Sequence, residues 1–273
     1  MIEELRSKGV QWAVAIDETR YTESSALGFG MRHGRPVVLK LTRTDDEARA
    51  GEMLRAYAGE GAVRVYEYEH GAVLLEWLQP GKQLVELVRR GDDDEATKII
   101  ADLITKLAHH SPPRDTPPVA DWARGFDLYL NSSDHRISDD LVRQAREVYN
   151  ELAASQRNPM LLHGDLQHYN VLYDRERGWT AIDPKGVVGE MEYEIGALLR
   201  NPVEQAELFT NRATIERRLA ILTPALSLDQ SRTLRWCFSQ AVLSAIWDVE
   251  DGHYVNDDHR ALKLARIVRS MID

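Results

Sequence analysis

Four side chains in this sequence have the types and order needed to move a phosphoryl group. Asp165 and Asn170 stand five residues apart in LLHGDLQHYNVL, Asp183 closes the apolar run WTAID, and Lys40 lies inside PVVLKL. Hard divalent cations such as magnesium take oxygen ligands, commonly one or two carboxylates or amides completed by phosphate and water. Phosphoryl transfer also needs a carboxylate that orients an attacking hydroxyl, and a cation on the donor phosphates. Asp165, Asn170, Asp183 and Lys40 supply that set. Taken singly, each has a bland reading: Gly, Asp and Asn are ordinary turn residues, and a lone strand lysine usually guards a sheet edge. Their joint order favours the chemical one. His163 and His168 beside Asp165 could instead suggest a transition-metal hydrolase. Their spacing of five places them on no common helix face, and the chain has no His-x-x-x-His pair.

The elements that must hold these residues can be read from turn signals and periodicity. SALGFGM and RPVVLKLT flank RHG as a hairpin, with Lys40 in its second strand. DDEARAGEMLRAYAG reads as a helix, and AVRVYEYEHGAVLLEWL as two strands around EHG. The first eighty residues thus predict a small sheet with one helix. QPGK, at 79 to 82, marks a change of character. Beyond it EATKIIADLITKLAHH, SDDLVRQAREVYNELAAS and the block from about 194 onward carry apolar residues every three or four positions, as helices do. The exception is 160 to 183, where MLLHGD, NVLYD and GWTAID read as short strands joined by polar turns. The expectation is an α+β protein with lobes at 1–79 and 80–273.

Composition narrows the class. With 43% hydrophobic and 29% charged residues the chain belongs with globular proteins, and its formal net charge of −10 argues against nucleic-acid binding, which rewards clustered Lys and Arg. No apolar run approaches the roughly 20 residues a bilayer span needs, and MIEELRSKGV lacks a secretory layout, which predicts a cytoplasmic protein without a membrane partner. The single cysteine, Cys237, excludes an internal disulfide and sits in an apolar helical context that suits a buried thiol.

HGDLQHYNVL resembles the H-G-D-L-x-x-x-N catalytic loop of aminoglycoside phosphotransferases and related small-molecule kinases of the protein-kinase-like fold. GWTAIDPKGVVGEMEYEIGALLRNP and SAIWDVEDG are similar to segments of the streptomycin 6-phosphotransferase branch, grouped with hydroxyurea kinases; LLEWLQPG and GAVRVYE fit its N-terminal half. The resemblance runs from about residue 37 to 252.

It implies a two-lobed fold, an antiparallel-sheet lobe followed by a larger helical one, and transfer of the γ-phosphate of ATP to an acceptor hydroxyl. By resemblance, Asp165 faces the acceptor, Asn170 and Asp183 hold Mg2+ on the phosphates, and Lys40 contacts the α and β phosphates. The adenine would lie against the backbone from Glu76 to Leu78. A helix glutamate should steady Lys40; Ala50 stands near its expected place, leaving Glu47, which shares a helix face with Leu54, preferred over Glu52. No G-x-G-x-x-G precedes PVVLKL, so Ser24 and Ser25 would contact phosphate from a serine-bearing turn. Gln167 and Tyr169 depart from the branch pattern and bear on acceptor choice or loop packing, and Glu194 stands where aspartate is usual, as a structural anchor. WDVEDG offers Trp247, Asp248, Glu250 and Asp251 either as a solvated helix end or as partners for a cationic acceptor such as the guanidinium groups of streptomycin. Alternatives are a kinase of hydroxyurea, an amino alcohol or another small hydroxylated acceptor, and a nucleotide-binding sensor without turnover.

Overall fold

The computed structural model describes residues 2–22, 24–43 and 48–272. Helix α1 (Ile2–Gln11) leads into strands β1 (Ala15–Tyr21), β2 (Ser25–Arg32) and β3 (Arg35–Thr42), then helix α2 (Ala50–Ala56) and strands β4 (Val65–Glu69) and β5 (Ala72–Glu76). The five strands form one antiparallel sheet in the order β1-β2-β3-β5-β4. The β2–β3 turn takes positive φ at both central residues, His33 (49°) and Gly34 (76°), the geometry whose twist suits a two-residue hairpin. Strand period does the rest of the positioning. Val37, Leu39 and Leu41 point to the face covered by Leu5 and Trp12, so Lys40 projects from the opposite face.

Two differences from the sequence expectation appear here. α1 is a second helix in the first eighty residues, missed because only Leu5 and Gly9 of it are buried and no apolar stripe announces it. The helix read across DDEARAGEMLRAYAG is regular from Ala50 to Ala56; the chain then leaves it through Ala58 and Gly59, both at positive φ.

Beyond residue 79 come β6 (Pro80–Gln83), α3 (Val85–Arg89), α4 (Asp93–Leu107), a 3-10 turn (Val119–Ala123), α5 (Arg124–Leu130) and α6 (Asp139–Ala154). Strands β7 (Met160–Leu162), β8 (Val171–Asp174), β9 (Gly178–Ala181) and β10 (Val187–Gly189) follow, then α7 (Met191–Leu199), α8 (Ala206–Phe209), α9 (Arg212–Leu226), α10 (Gln230–Glu250) and α11 (Arg260–Ile272). α10 starts where the Asp229 side chain accepts the backbone N–H of Arg232, a good N-cap, and it is the central helix of this part, buried along most of its length. Cys237 lies inside it, its thiol pushed up to about 12 by burial. β6 and β10 were not read from the sequence: β6 holds a proline and a glycine, and β10 is three residues long.

The larger core does not stop at residue 79. Met53 and Leu54 of α2, with Tyr57 just past its end, pack in the same buried cluster as α4, α6 and α10. Gly186 explains the fit: a Cβ there would stand 2.1 Å from the Met53 Cγ, so only glycine lets α2 seat on the segment after Asp183.

Candidate active site

Two short strand pairs frame the site. β7 pairs with β10 (Leu162 opposite Val187) and β8 with β9 (Val171 opposite Ala181), so the polar run between β7 and β8 is held at both ends by Leu161, Leu162 and Val171, all buried. The Ile182 N–H donates to the Asn170 carbonyl at 2.9 Å, one step past the β8–β9 register, which brings Asp183 beside Asn170. Asp183 has φ +59°, a left-handed conformation that aspartate tolerates better than most residues.

Several polar groups inside and beneath the loop hold its backbone. His163, buried, donates Nε2–H to the Ile182 carbonyl at 2.9 Å and accepts the Asp165 N–H on Nδ1 at 3.3 Å. That pattern needs the neutral ring, and burial lowers its pKa to about 4. Glu194, buried on α7, accepts the N–H of Gly164 at 3.1 Å and of Leu166 at 3.4 Å; burial pushes its carboxyl up to about 7 although these donors pull the other way. Gln167 accepts the Tyr169 N–H at 2.8 Å, and Gln83 donates to the Tyr169 carbonyl at 3.2 Å, so the Gln167 side chain is built into the loop's packing and Tyr169 is held there through its backbone.

Asn170 donates Nδ2–H to the Asp165 carbonyl at 2.9 Å and to its Oδ2 at 3.0 Å. With Nδ2 so engaged, Oδ1 is the amide atom left to a cation. Lys40 Nζ reaches Asp183 Oδ1 at 2.5 Å, joining the sheet to the loop. The structure therefore brings Lys40, Asp165, Asn170 and Asp183 together across the cleft. Oxygen donors from an amide and a carboxylate, beside a lysine, fit a magnesium ion whose remaining ligands are phosphate oxygens and water.

Asp165 also lines a cavity of about 510 Å³, together with Trp122, Arg124, Lys185, Arg200, Trp247 and Glu250 among others. Asp251 also lines it, so Trp247, Glu250 and Asp251 share the cavity of Asp165. Trp247 meets Trp122 edge to face, ring centres 5.6 Å apart. Glu250 has its pKa raised by burial and by Asp251, with Arg124 opposing. Asp248, offered by the sequence as an acceptor partner, is absent from the cavity wall: it binds Arg260 at 2.9 Å, His253 at 3.1 Å and His259 at 3.3 Å, fastening α11 to the end of α10. Burial works against ionisation of Asp248, but these partners hold its pKa down at about 2.

Leu78 is buried, and the Glu76 carboxylate accepts the Arg64 N–H at 2.7 Å and pairs with Arg177. Ser25 is buried at the start of β2, where its N–H donates to Thr22 Oγ1 at 2.9 Å; the Ser24 carbonyl accepts the Arg43 N–H at 3.1 Å. Glu52 lies near Tyr68, whose hydroxyl pKa it helps to raise after burial. Glu47 lies outside the described residues. Sequence reading missed Trp122, Arg124, Lys185 and Arg200, of which Lys185 and Arg200 sat in quoted segments as cations without an assigned task.

Under the loop, His168 is buried, and neither ring nitrogen has a hydrogen-bond partner among the described residues; burial and Arg218 lower its pKa to about 3. His163 and His168 are thus neutral in the folded chain, while the unfolded chain takes up their protons near 6.5. The histidine contribution is then retained above about pH 6.5 and falls as the pH drops toward 4, by about 3 kcal/mol for His163 alone, while Glu194, its carboxyl raised to about 7, works in the opposite direction over the same range. Urea unfolding of the wild type and of a histidine variant at steps from pH 7 to 4 separates the histidine decline from the opposing Glu194 gain. His168→Leu, which removes an unpartnered ring, should flatten the decline; an unchanged slope would show that His168 does not contribute.

The chain matches the aminoglycoside/hydroxyurea antibiotic resistance kinase family over residues 11–252. It is 32% identical over 248 residues to streptomycin 3''-kinase of Klebsiella pneumoniae, covering 89% of this chain and 91% of that one. It is 33% identical over 227 residues to hydroxyurea phosphotransferase of Kitasatospora aureofaciens, covering 80% and 64%. Among solved structures, a thermostable mutant of aminoglycoside phosphotransferase APH(4)-Ia superposes with a TM-score of 0.69 at 16% identity, covering 98% of this chain and 99% of that one. The fold is the two-lobed protein-kinase-like one, and the chain belongs to the aminoglycoside/hydroxyurea antibiotic resistance kinase family of small-molecule phosphotransferases.

Proposed function

We propose that the protein is an ATP- and magnesium-dependent kinase that phosphorylates a hydroxyl of a cationic aminoglycoside, with streptomycin the first candidate. The observation that carries this reading is the cavity beside Asp165: about 510 Å³, walled by two tryptophans and carrying Glu250 and Asp251. Such a volume is typical of sites for drug-sized ligands. Hydroxyurea, with a handful of non-hydrogen atoms, and a small amino alcohol would each leave most of it empty. The hydroxyurea phosphotransferase relative keeps that acceptor as the second reading.

In this reading residues 1–79 form the nucleotide-binding lobe and 80–273 the catalytic and acceptor-binding lobe. The adenine lies along the backbone from Glu76 to Leu78, the Ser24–Ser25 turn covers the phosphates, and Lys40 moves from Asp183 to the phosphates as nucleotide enters. Glu47 is the residue assigned to steady Lys40. Asn170 Oδ1 and the Asp183 carboxylate would hold Mg2+, which when bound neutralises charge on the donor phosphates. Asp165 accepts the hydrogen bond of the acceptor hydroxyl and aims its oxygen at the γ-phosphorus. Because charge in such a transition state is spread over the transferring group, alignment and neutralisation matter more than early proton removal. Trp122 and Trp247 give the acceptor rings an apolar wall, while Glu250 and Asp251 meet its cationic groups.

ADP release measured over a panel of aminoglycosides, hydroxyurea and amino alcohols tests the assignment. Streptomycin should give the highest kcat/KM. Glu250→Gln and Asp251→Asn should each raise the acceptor KM roughly tenfold or more, with the ATP KM unchanged. Stimulation by hydroxyurea alone would transfer the assignment to the smaller acceptor, and no stimulation by any compound would favour a nucleotide sensor.

A further inference from the structure

Asp165 is the carboxylate assigned to the acceptor hydroxyl, and its two oxygens have different surroundings. Oδ2 is engaged by the Asn170 amide at 3.0 Å. Oδ1 faces Arg200, whose Nη2 lies 3.6 Å away. That separation is within ion-pair range but beyond a good hydrogen bond, so the guanidinium attracts Oδ1 without occupying its lone pairs.

Arg200 is itself held. It caps the C-terminal end of α7, where a cation is favoured, and its Nη1–H donates to Gln240 Oε1 at 3.0 Å. Gln240, on α10 and 4% exposed, spends its Nε2–H on the Tyr193 carbonyl at 2.7 Å, which fixes which end of the amide faces Arg200. Gly196 makes room for this arrangement: a Cβ there would fall 2.2 Å from Gln240 Oε1. The opposite turn of the same helix supplies Glu194, which grips the backbone of the Asp165 loop.

We propose that Arg200, aligned by Gln240 through the notch at Gly196, is a positioning residue that keeps Asp165 Oδ1 turned toward the acceptor hydroxyl. The role rests on the kinase reading above, but not on any particular acceptor. It depends on the planar fork of arginine, one nitrogen on Gln240 and the other toward Asp165; a lysine at 200 keeps the charge and loses the second anchor. Gln240 is absent from the cavity wall, so replacing it removes no acceptor contact.

The test is a double-mutant cycle on kcat in the full-length protein. Arg200→Ala should lower kcat by about 10²-fold and Arg200→Lys and Gln240→Leu by roughly tenfold each, with the ATP KM within about twofold of wild type. If Gln240 acts through Arg200, Gln240→Leu should cost nothing further in the Arg200→Ala background, and added guanidinium should restore part of the Arg200→Ala loss. A structural role alone would give neither the vanishing effect nor the rescue. Additive losses, or a rise in ATP KM parallel to the fall in kcat, would overturn the proposal. Acceptor-stimulated and acceptor-free ADP release are both followed, so turnover limited to an unexpected acceptor or to water revises the acceptor assignment and leaves the cycle readable.

Discussion

Asp183→Ala should reduce kcat by on the order of 10³-fold or more, because it removes the carboxylate proposed for the metal and the partner of Lys40 in one step. Asp165→Asn should lose turnover to a comparable degree yet still bind ATP, since Asp165 lines the acceptor cavity and its bond to Asn170 can survive as an amide contact. Calorimetric titration with MgATP separates the two: affinity should fall in Asp183→Ala and hold in Asp165→Asn. The alanine variant also places a residue less tolerant of φ +59° than aspartate at that position, for a loss of about 1 kcal/mol. A melting curve keeps that loss distinct from the chemical one. Turnover retained in Asp183→Ala would remove the basis of the kinase assignment.

The largest effect on stability should come from Arg218→Met, about 3–5 kcal/mol. Arg218 is fully buried, its guanidinium reaching Asp93 Oδ1 at 2.7 Å and the carbonyls of Leu198 and Asn201 at 2.9 Å each. Burial alone would raise the pKa of Asp93, but Arg218, with Arg217 adding to it, brings the net shift below the usual value. Removing Arg218 leaves that carboxylate, in the core between α4 and α9, with the partly exposed Arg217 at 2.9 Å as its one remaining ion-pair partner among the described residues. A carboxylate whose folded value is depressed contributes stability above its unfolded pKa, and loses it as the pH falls through the folded one. The wild type should therefore lose this contribution at acid pH, while Arg218→Met keeps only the smaller part that Arg217 supplies. Urea midpoints at neutral pH check the main effect. The paired change Arg218→Met with Asp93→Leu should recover most of it, because it leaves no buried charge alone. Leu198 and Asn201 sit beside Arg200, so the variant should also lower turnover in the molecules that remain folded.

The chemistry of the loop was legible because it is written locally. Asp165 and Asn170 are five residues apart, and Asp183 ends an apolar run whose register is fixed by pairing with β8. Lys40 could be placed because strand alternation decides which face it takes. What holds these groups was less legible. Glu194 could be named as an anchor, but its targets, the N–H groups of Gly164 and Leu166, lie about thirty residues back in the chain and no spacing rule links them. The cavity wall is assembled from α5, the segment after Asp183 and α10, and only its α10 end announced itself, through WDVEDG. Even there, period alone could not show that Asp248 would be taken by Arg260 and two histidines. The change of character at residue 79 was visible, but the burial of Met53, Leu54 and Tyr57 with the helices beyond it was not, since α2 is only seven residues long.

Asp183 is screened twice by unrelated criteria. The backbone filter, φ +59° immediately before a proline, admits glycine and the short-chained asparagine and aspartate most readily. The electrostatic filter, a lysine ammonium at 2.5 Å, asks for an anion. Glutamate passes the second and is poorly suited to the first; asparagine and glycine do the reverse. The alphabet shrinks at this position to one letter, before any nucleotide or acceptor is considered.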